Sequence, residues 1–411
     1  MGRYLHLYQT QAQFETAYDG TGYSEPWVSF TEDVERVDYN KQQTPPPLPD
    51  PTGEYLTFEI VSGGELLWKG SSKTLEYSKN GGEWISITNS STGTPISVSP
   101  EDVIKFRGDS QYGYPGNSFG SNGATFKLKG NIMSLITSSG FENATSLVGG
   151  AHFNDFFSNC TGVIDASDLV LPATTLSPSC YTGMFRGCTN MVKGPKVLPA
   201  TTLVGNCYAS MFRGCCSLTA ATVICGETMA ASCCANMFEQ CSSITVTQAV
   251  LPATTLAEKC YFDMFDHCES LETAPVVPAT TLAGQCCSGM FQHCFSMKHV
   301  QPVLPATTLA EGCYANMFAD NHILEVAPIL PATTLVPSCY HSMFCDCWSL
   351  RYVKAMFLTT PGVNYCQGWL YSIEERAPGT FVMNSEATWL NSVVRDGTSI
   401  PPDWTIETAS S

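Results

Sequence analysis

The residues best suited to chemistry in this sequence are its cysteines and histidines. All twenty cysteines fall between Cys160 and Cys366, and such a number could supply disulfides, metal ligands or nucleophiles. Among the seven histidines, His267 and His293 occupy the same position in successive repeats. Their rings could therefore lie close together and share a metal ion. We expect instead that this position is a structural cap with exposed side chains, because neighbouring repeats fill it with Gly and Asp.

Acidic side chains crowd one stretch of the chain and raise the question of glycoside hydrolysis, which uses a pair of carboxylates. The residues concerned are Glu258, Asp263, Asp266, Glu269 and Glu272. We expect surface charge and a capping role for Glu258 to account for them. No GxSxG, Walker or GxGxxG motif stands in a fitting context. The sequence therefore predicts that the protein is not an enzyme and uses no cofactor.

A repeat of 26 or 27 residues positions these side chains. The block LPATTL or a variant of it begins at Leu171, Leu198, Ile224, Leu251, Val277, Leu304 and Leu330, with spacings of 27, 26, 27, 26, 27 and 26. A Met-Phe pair keeps the same rhythm, from Met184 to Met343. Phe156-Phe157 resembles a starting copy and Trp369-Leu370 a closing one. Such a period is typical of a solenoid, in which each coil buries its apolar side against its neighbours.

Within a coil, the apolar residues Leu256, Cys260, Met264 and Cys268 are four apart, which is the spacing of one helical face. Thr255 and Glu258 before them are arranged as a capping box. We expect the helix to end at a left-handed residue, which is Gly187, Gly214, Gln240, His267, His293, Asp320 or Asp346 in successive coils. A short strand then leads to the next LPATT block. The fold class predicted is a mixed α/β, leucine-rich-repeat-like solenoid.

The cysteines form two ladders along these coils. One contains Cys180, Cys207, Cys233, Cys260, Cys286, Cys313 and Cys339; the other contains Cys160, Cys188, Cys215, Cys241, Cys268, Cys294 and Cys347, with Asn321 in one coil. Small buried thiols filling an inner position are the favoured interpretation, and disulfides or metal binding stay as alternatives. No zinc-type CxxC pairing occurs among the others.

The pattern MFxxCxSLxxAPxLPATTLxxxCYxxMF is similar to the BspA-type (treponemal) leucine-rich repeats of Bacteroides surface and phage proteins, and it covers more than half of the chain. This resemblance implies a curved solenoid with a parallel sheet on one side, used for adhesion or recognition. It does not imply catalysis.

The segment 1–43 is aromatic-rich and acidic, too short for a core of its own and too aromatic for a plain disordered tail. Through YLHLY and EPWVSFTE it resembles the N-terminal anchor of virion proteins of Bacteroides phages, including crAss-like phages. The anchoring candidates are Tyr4, Tyr8, Phe14, Trp27 and Phe30. An extra strand pair on the following domain is the alternative. The first twenty residues contain no apolar stretch, so we expect no secretory signal.

The remaining domain boundaries follow from the amino-acid composition and its pattern along the chain. Residues 44–51 are a stiff proline-rich linker, and residues 52–135 alternate apolar and polar side chains as a small antiparallel β-sandwich does, with a hairpin turn at Asn80-Gly81-Gly82. Residues 136–371 form the solenoid. Residues 372–411 resemble the closing β segment of the same repeat proteins and are expected to cap the last coil.

Charge limits the partners. The net charge of −17 disfavours nucleic acid and an anionic membrane surface. The resemblance of residues 1–43 to a phage anchor, together with that of the repeats, implies a virion protein, a head or tail fibre on the virion surface. It would bind other virion proteins through its N-terminus and a host-surface glycan or protein through the solenoid, as a homo-oligomer (dimer or trimer). A bacterial cell-surface adhesin is the alternative.

Overall fold

The architecture of the chain is mostly β in a computed structural model that describes residues 53–70, 73–358, 363–373, 378–387, 389 and 400–409. Among these described residues, eight strands precede the repeats: β1 (Leu56–Ser62), β2 (Gly64–Lys69), β3 (Thr74–Lys79), β4 (Ile85–Thr88), β5 (Thr94–Val98), β6 (Val103–Arg107), β7 (Ser118–Asn122) and β8 (Thr125–Asn131). Short 3₁₀ turns follow at Ile132–Leu135 and Phe141–Asn143. Within the described ranges, no helix has the length and hydrophobicity that crossing a membrane requires.

These strands form two facing sheets, in the orders β4-β3-β6-β1-β8 and β5-β2-β7, and all their pairings are antiparallel. The alternation of apolar residues explains the sandwich, because every second side chain enters the space between the sheets. Phe119 from β7 lies 5.0 Å from the Phe58 ring and 4.8 Å from the Phe106 ring of the opposite sheet. The turn at Asn80-Gly81 has positive φ at both residues and joins β3 to β4, as expected.

The sandwich continues directly into the repeats. The strand β9 (Val163–Val170) of the first coil pairs in parallel with β8 and becomes the sixth strand of the larger sheet. Phe156 and Phe157 pack against Trp68 and Phe119 of the sandwich, with ring centroids between 5.5 and 5.9 Å apart. One cluster of buried side chains therefore extends from the sandwich through the array.

The coils stack in parallel, joined mostly by single β-bridges. The named strands of the array are β10 (Val197–Leu198), β11 (Val223–Ile224) and β12 (Tyr352–Ala355). Past them lie one short helix, α1 (Val363–Cys366), and two further strands, β13 (Thr380–Asn384) and β14 (Thr405–Ala409). The strands β12, β13 and β14 form a parallel sheet in that order.

The expectation of a helix in each coil is wrong. Between residues 144 and 358 the structure contains no α-helix, and the segment from Cys260 to Cys268 is a run of overlapping turns. Alternate N–H groups, such as those of Cys260 and Met264, donate to carbonyls three residues back in the same coil. The N–H groups between them donate to the next coil, for example from Tyr261 to the Cys286 carbonyl oxygen at 2.9 Å.

The apolar residues of a coil are four apart for a reason other than helix formation. Pairs of neighbouring residues point inward and the next pair points outward, so Cys260 and Tyr261 are buried, as are Met264 and Phe265. Every fourth residue, including Asp263, has positive φ, which prevents a helix from propagating. The capping box of Thr255 and Glu258 is also wrong, because no helix begins there.

Candidate functional site

Both cysteine ladders lie in the interior, which confirms the interpretation as buried thiols. All twenty cysteines are free, and every member of the two ladders is buried. In the second ladder, each thiol from Cys188 onward reaches back to a phenylalanine carbonyl of the preceding coil. Cys241 Sγ lies 3.0 Å from the Phe212 oxygen. Asn321 Nδ2 donates to the Phe291 and Phe318 oxygens at 2.9 Å each. Asn can replace Cys here because the position requires a hydrogen-bond donor.

Burial also makes the thiols of the second ladder poor nucleophiles. It raises the pKa of Cys188, Cys215 and Cys268 well above their usual range, since the interior disfavours a thiolate. Only the thiolate attacks an electrophile or binds a metal ion. The ladders therefore supply packing and hydrogen bonds to the array.

The residues predicted to cap the helices do adopt the left-handed conformation, although no helix precedes them. The φ angles are +58° at His267 and +56° at His293, and the equivalent Gly, Gln and Asp residues are also positive. Two other positions of the coil share this property, so three rows of left-handed residues follow the stack. We call this outward surface the left-handed face. It consists of the outward-pointing residues between 259 and 267 and the equivalent residues of the other coils.

On this face, the structure brings together residues that are distant in the sequence. Asp266 Oδ1 lies 3.0 Å from His267 Nδ1 and 2.9 Å from His293 Nδ1, and the two imidazole rings stack with centroids 4.0 Å apart. Beyond them, His293 Nε2 lies 3.4 Å from Asp320 Oδ2. We call these four residues, Asp266, His267, His293 and Asp320, the histidine–aspartate cluster. The sequence reasoning noticed the two histidines and missed Asp320, whose only signal is that it takes the same position one coil later.

Further acidic side chains lie around this cluster. Burial, Asp266 and Glu239 together raise the pKa of Asp263 to about 7. Glu239 is nearly buried and pairs with Arg213 at 2.7 Å, and Asn236 donates to it at 2.8 Å. Burial raises the pKa of Glu239 as well. The acidic residues examined in the sequence thus separate into two sets: Asp263 and Asp266 lie in this environment, whereas Glu258, Glu269 and Glu272 are exposed.

We expect the Asp263→Asn variant to remove part of the pH dependence of stability. The folded state holds the Asp263 proton more tightly than the unfolded chain, whose Asp pKa is about 3.9. This contribution to the free energy of unfolding is therefore present below about pH 4 and lost as the pH rises toward 7. Partial exposure limits the effect to about 1–2 kcal/mol, so the variant should be that much more stable than the wild type at pH 8.

Urea unfolding of both proteins at pH 5 and pH 8 measures this difference. Asn fits the backbone, because Asn236 and Asn316 occupy the same left-handed position in other coils. The exposed Glu272→Gln variant removes a carboxylate elsewhere and should keep the wild-type pH dependence. An unchanged pH dependence in Asp263→Asn would contradict the expectation.

A second regular surface lies on another side of the coils. Both threonines of the LPATT block are exposed in six coils, and Glu227 with Thr228 takes their place in the seventh. Parallel bridges join Thr202 to Thr228 and Thr255 to Thr281, so equivalent residues repeat at about 4.8 Å. This threonine face comprises Thr174, Thr175, Thr201, Thr202, Thr228, Thr254, Thr255, Thr280, Thr281, Thr307, Thr308, Thr333 and Thr334. It presents hydroxyl and methyl groups in two straight rows.

The predicted anchoring residues Tyr4, Tyr8, Phe14, Trp27 and Phe30 lie outside the described residues, as does the linker 44–51. Their role stays a prediction.

Comparisons with known proteins add little to this geometry. Neither a scan of protein-family models nor a search of curated proteins finds a match. A search of solved structures finds a leucine-rich repeat protein from Bacteroides ovatus at 12% sequence identity, covering 62% of this chain and 77% of that one with a TM-score of 0.29. A similarity at this level supports no conclusion about activity. The hydrogen bonds between neighbouring coils of this chain are what show that the coils stack.

Proposed function

We propose that this protein is a non-catalytic recognition protein whose threonine face binds a repetitive glycan on a cell surface. The observation that carries the proposal is the regular exposure of threonine pairs along the array. A buried position is restricted by packing, whereas these side chains are exposed and could be any polar residue. Their uniformity supports selection for contact with a partner that is itself periodic.

The chemistry of the face suits a carbohydrate. Each threonine offers a hydroxyl that both donates and accepts hydrogen bonds, and a methyl group that packs against the apolar side of a sugar ring. The backbone beneath is held by hydrogen bonds between coils, such as Thr228 N–H to the Thr201 oxygen at 3.0 Å. A rigid row of this kind loses little conformational entropy on binding. Individual contacts are weak, but a polymer that spans several coils multiplies them.

Replacing four threonines in two adjacent coils tests this proposal. We expect the combined variant Thr254→Ala, Thr255→Ala, Thr280→Ala and Thr281→Ala to bind surface polysaccharide at least about tenfold more weakly, because adjacent contacts contribute jointly. The measurement is binding of labelled full-length protein to immobilised polysaccharides purified from Bacteroidales cells.

The matched control changes Glu272→Gln and Lys298→Gln, an exposed pair outside the threonine face with its charged atoms 3.2 Å apart. The control should bind as the wild type does. Wild-type binding by the fourfold alanine variant, in a protein with unchanged circular dichroism, would reject the threonine face as the binding surface.

We further propose that the protein acts at the virion surface, as a head or tail fibre attached through residues 1–43 and assembled as a homo-oligomer. The support is the aromatic composition of that segment, which is typical of a docking segment, and its resemblance to the N-terminal anchor of phage virion proteins. The second candidate is a bacterial cell-surface adhesin with the same threonine face. Mass spectrometry of purified phage particles separates the two: the fibre proposal requires the chain in intact virions, and deletion of residues 1–43 should remove it from them.

A further inference from the structure

The histidine–aspartate cluster contains three atoms of the kinds that bind transition metals. They are His267 Nδ1, His293 Nδ1 and Asp266 Oδ1, which lie within 4.8 Å of one another. The aspartate oxygen is 3.0 Å from the first nitrogen and 2.9 Å from the second. Ligands held about 2.0–2.1 Å from one zinc ion in a tetrahedral arrangement are themselves separated by about 3.3 Å. The two distances are a few tenths of an ångström shorter, so a small opening of the cluster would admit a single ion.

Hydrogen bonds among the described residues satisfy only some of the polar atoms of this cluster. His293 Nδ1 is hydrogen-bonded to Asp266 Oδ1. The Nδ1 atom of His267 is buried and has no hydrogen-bond partner among the described residues, although the same carboxylate is close by. A buried polar atom left in this state is costly. A cation bound in the cluster would satisfy its lone pair.

The surroundings supply the second requirement of a metal site, a carboxylate that orients a ligating histidine. Histidines bound to zinc usually donate their other ring N–H to such a group. His293 has Asp320 Oδ2 at 3.4 Å from its Nε2 atom, on the side away from Asp266. That contact would hold a proton on Nε2, so that the ion could replace the proton that Nδ1 shares with Asp266.

The electrostatic environment also favours a cation. Asp263, Glu239 and Asp266 act on one another through space, and Arg213 is the cation that opposes them. Arg213 already pairs with Glu239. The remaining negative charge at this point of the face would attract a divalent ion.

We propose that Asp266, His267 and His293 form a zinc-binding site, with water completing the coordination and Asp320 positioning His293. Two imidazole nitrogens with one carboxylate oxygen suit Zn²⁺, whereas Ca²⁺ and Mg²⁺ select oxygen ligands. The ligands come from two adjacent coils. The ion would therefore tie those coils together on the left-handed face, independently of any ligand on the threonine face.

Isothermal titration of folded full-length protein with ZnCl₂ tests the site. Every protein in the experiment carries Cys216→Ser, because Cys216 is the exposed thiol and could bind zinc itself. We expect one equivalent of zinc per chain and no binding of CaCl₂ at the same concentration. His267→Gln, His293→Gln and Asp266→Asn should each weaken zinc binding at least about tenfold, and Asp320→Asn should weaken it less. Gln is compatible with the backbone, because Gln240 has the same left-handed conformation one coil earlier.

The control is His299→Gln, a histidine of the same coil outside the cluster. It should bind zinc as the parent protein does. Titration with Co²⁺ gives an independent readout: nitrogen and oxygen ligands produce ligand-field bands without the thiolate charge-transfer band that binding to cysteines would add. Less than one equivalent of zinc, parent-like affinity in both His267→Gln and His293→Gln, or a thiolate band with Co²⁺ would each overturn the proposal.

Discussion

The Phe238→Ala variant is expected to lose about 3–5 kcal/mol of unfolding free energy, because it opens a cavity in the middle of a continuous aromatic stack. Phe238 is fully buried, and its ring lies 5.3 Å from Phe212 and 5.4 Å from Phe265 in nearly parallel planes. The same stack runs along the array through Phe157, Phe185, Phe212, Phe238, Phe265, Phe291, Phe318 and Phe344. Urea unfolding followed by circular dichroism measures the loss.

The stability of a stacked array is the sum of its coils and of the contacts between neighbours. We therefore expect the variant to unfold in a broader or divided transition as well. Phe295→Ala is the matched control, since Phe295 lies outside the buried stack and is only half-buried. The Phe295→Ala variant should lose clearly less unfolding free energy than Phe238→Ala. Phe238→Leu keeps most of the volume and provides a folded comparison if the alanine variant does not accumulate. Equal losses at Phe238 and Phe295 would contradict the role of the stack.

Most thiols are expected to be alkylated much more slowly in the folded protein than in the unfolded protein. At pH 8 an alkylating reagent should modify Cys216 quickly in the folded chain, because it is the exposed cysteine. Cys225 and Cys345 are half-buried and should react slowly, since burial raises the pKa of both thiols, that of Cys345 to about 12. In denaturant, all twenty thiols should react. Mass spectrometry of the intact chain counts the modified groups.

The labelling experiment also distinguishes packing from chemistry. Fast reaction of ladder members such as Cys188 or Cys260 in the folded protein would show that they are accessible thiolates rather than packed side chains. The Cys216→Ser variant is the control: it should lose the fast phase in the folded state and one modification in denaturant. Slow labelling of the ladders supports their role as buried donors to neighbouring coils.

Much of the candidate site follows from the repeat itself. Because the repeat fixes which residues are equivalent, the sequence placed His267 beside His293 and assigned both to left-handed positions. It also identified the buried ladders and the Asn321 substitution. It did not show that Asp266 reaches both rings, since contacts between non-equivalent positions depend on how one coil is shifted against the next. The sequence showed the threonines of the LPATT block as a repeat, but their exposure on one side of the coil depends on where the chain turns.

The sequence by itself determined the register of the repeat, the inward positions and one of the three points in each coil where the backbone takes a left-handed turn. Each of these is local: apolar pairs every four residues must be buried, and Gly, Asn, Asp and Ser tolerate positive φ. The tertiary structure alone decided where the backbone N–H groups donate. A spacing of four is compatible both with a helix, whose bonds stay within the segment, and with turns whose alternate bonds cross to the next coil. Stacking makes the carbonyls of the neighbouring coil available, and the helix is replaced by a ladder that joins every coil to the next.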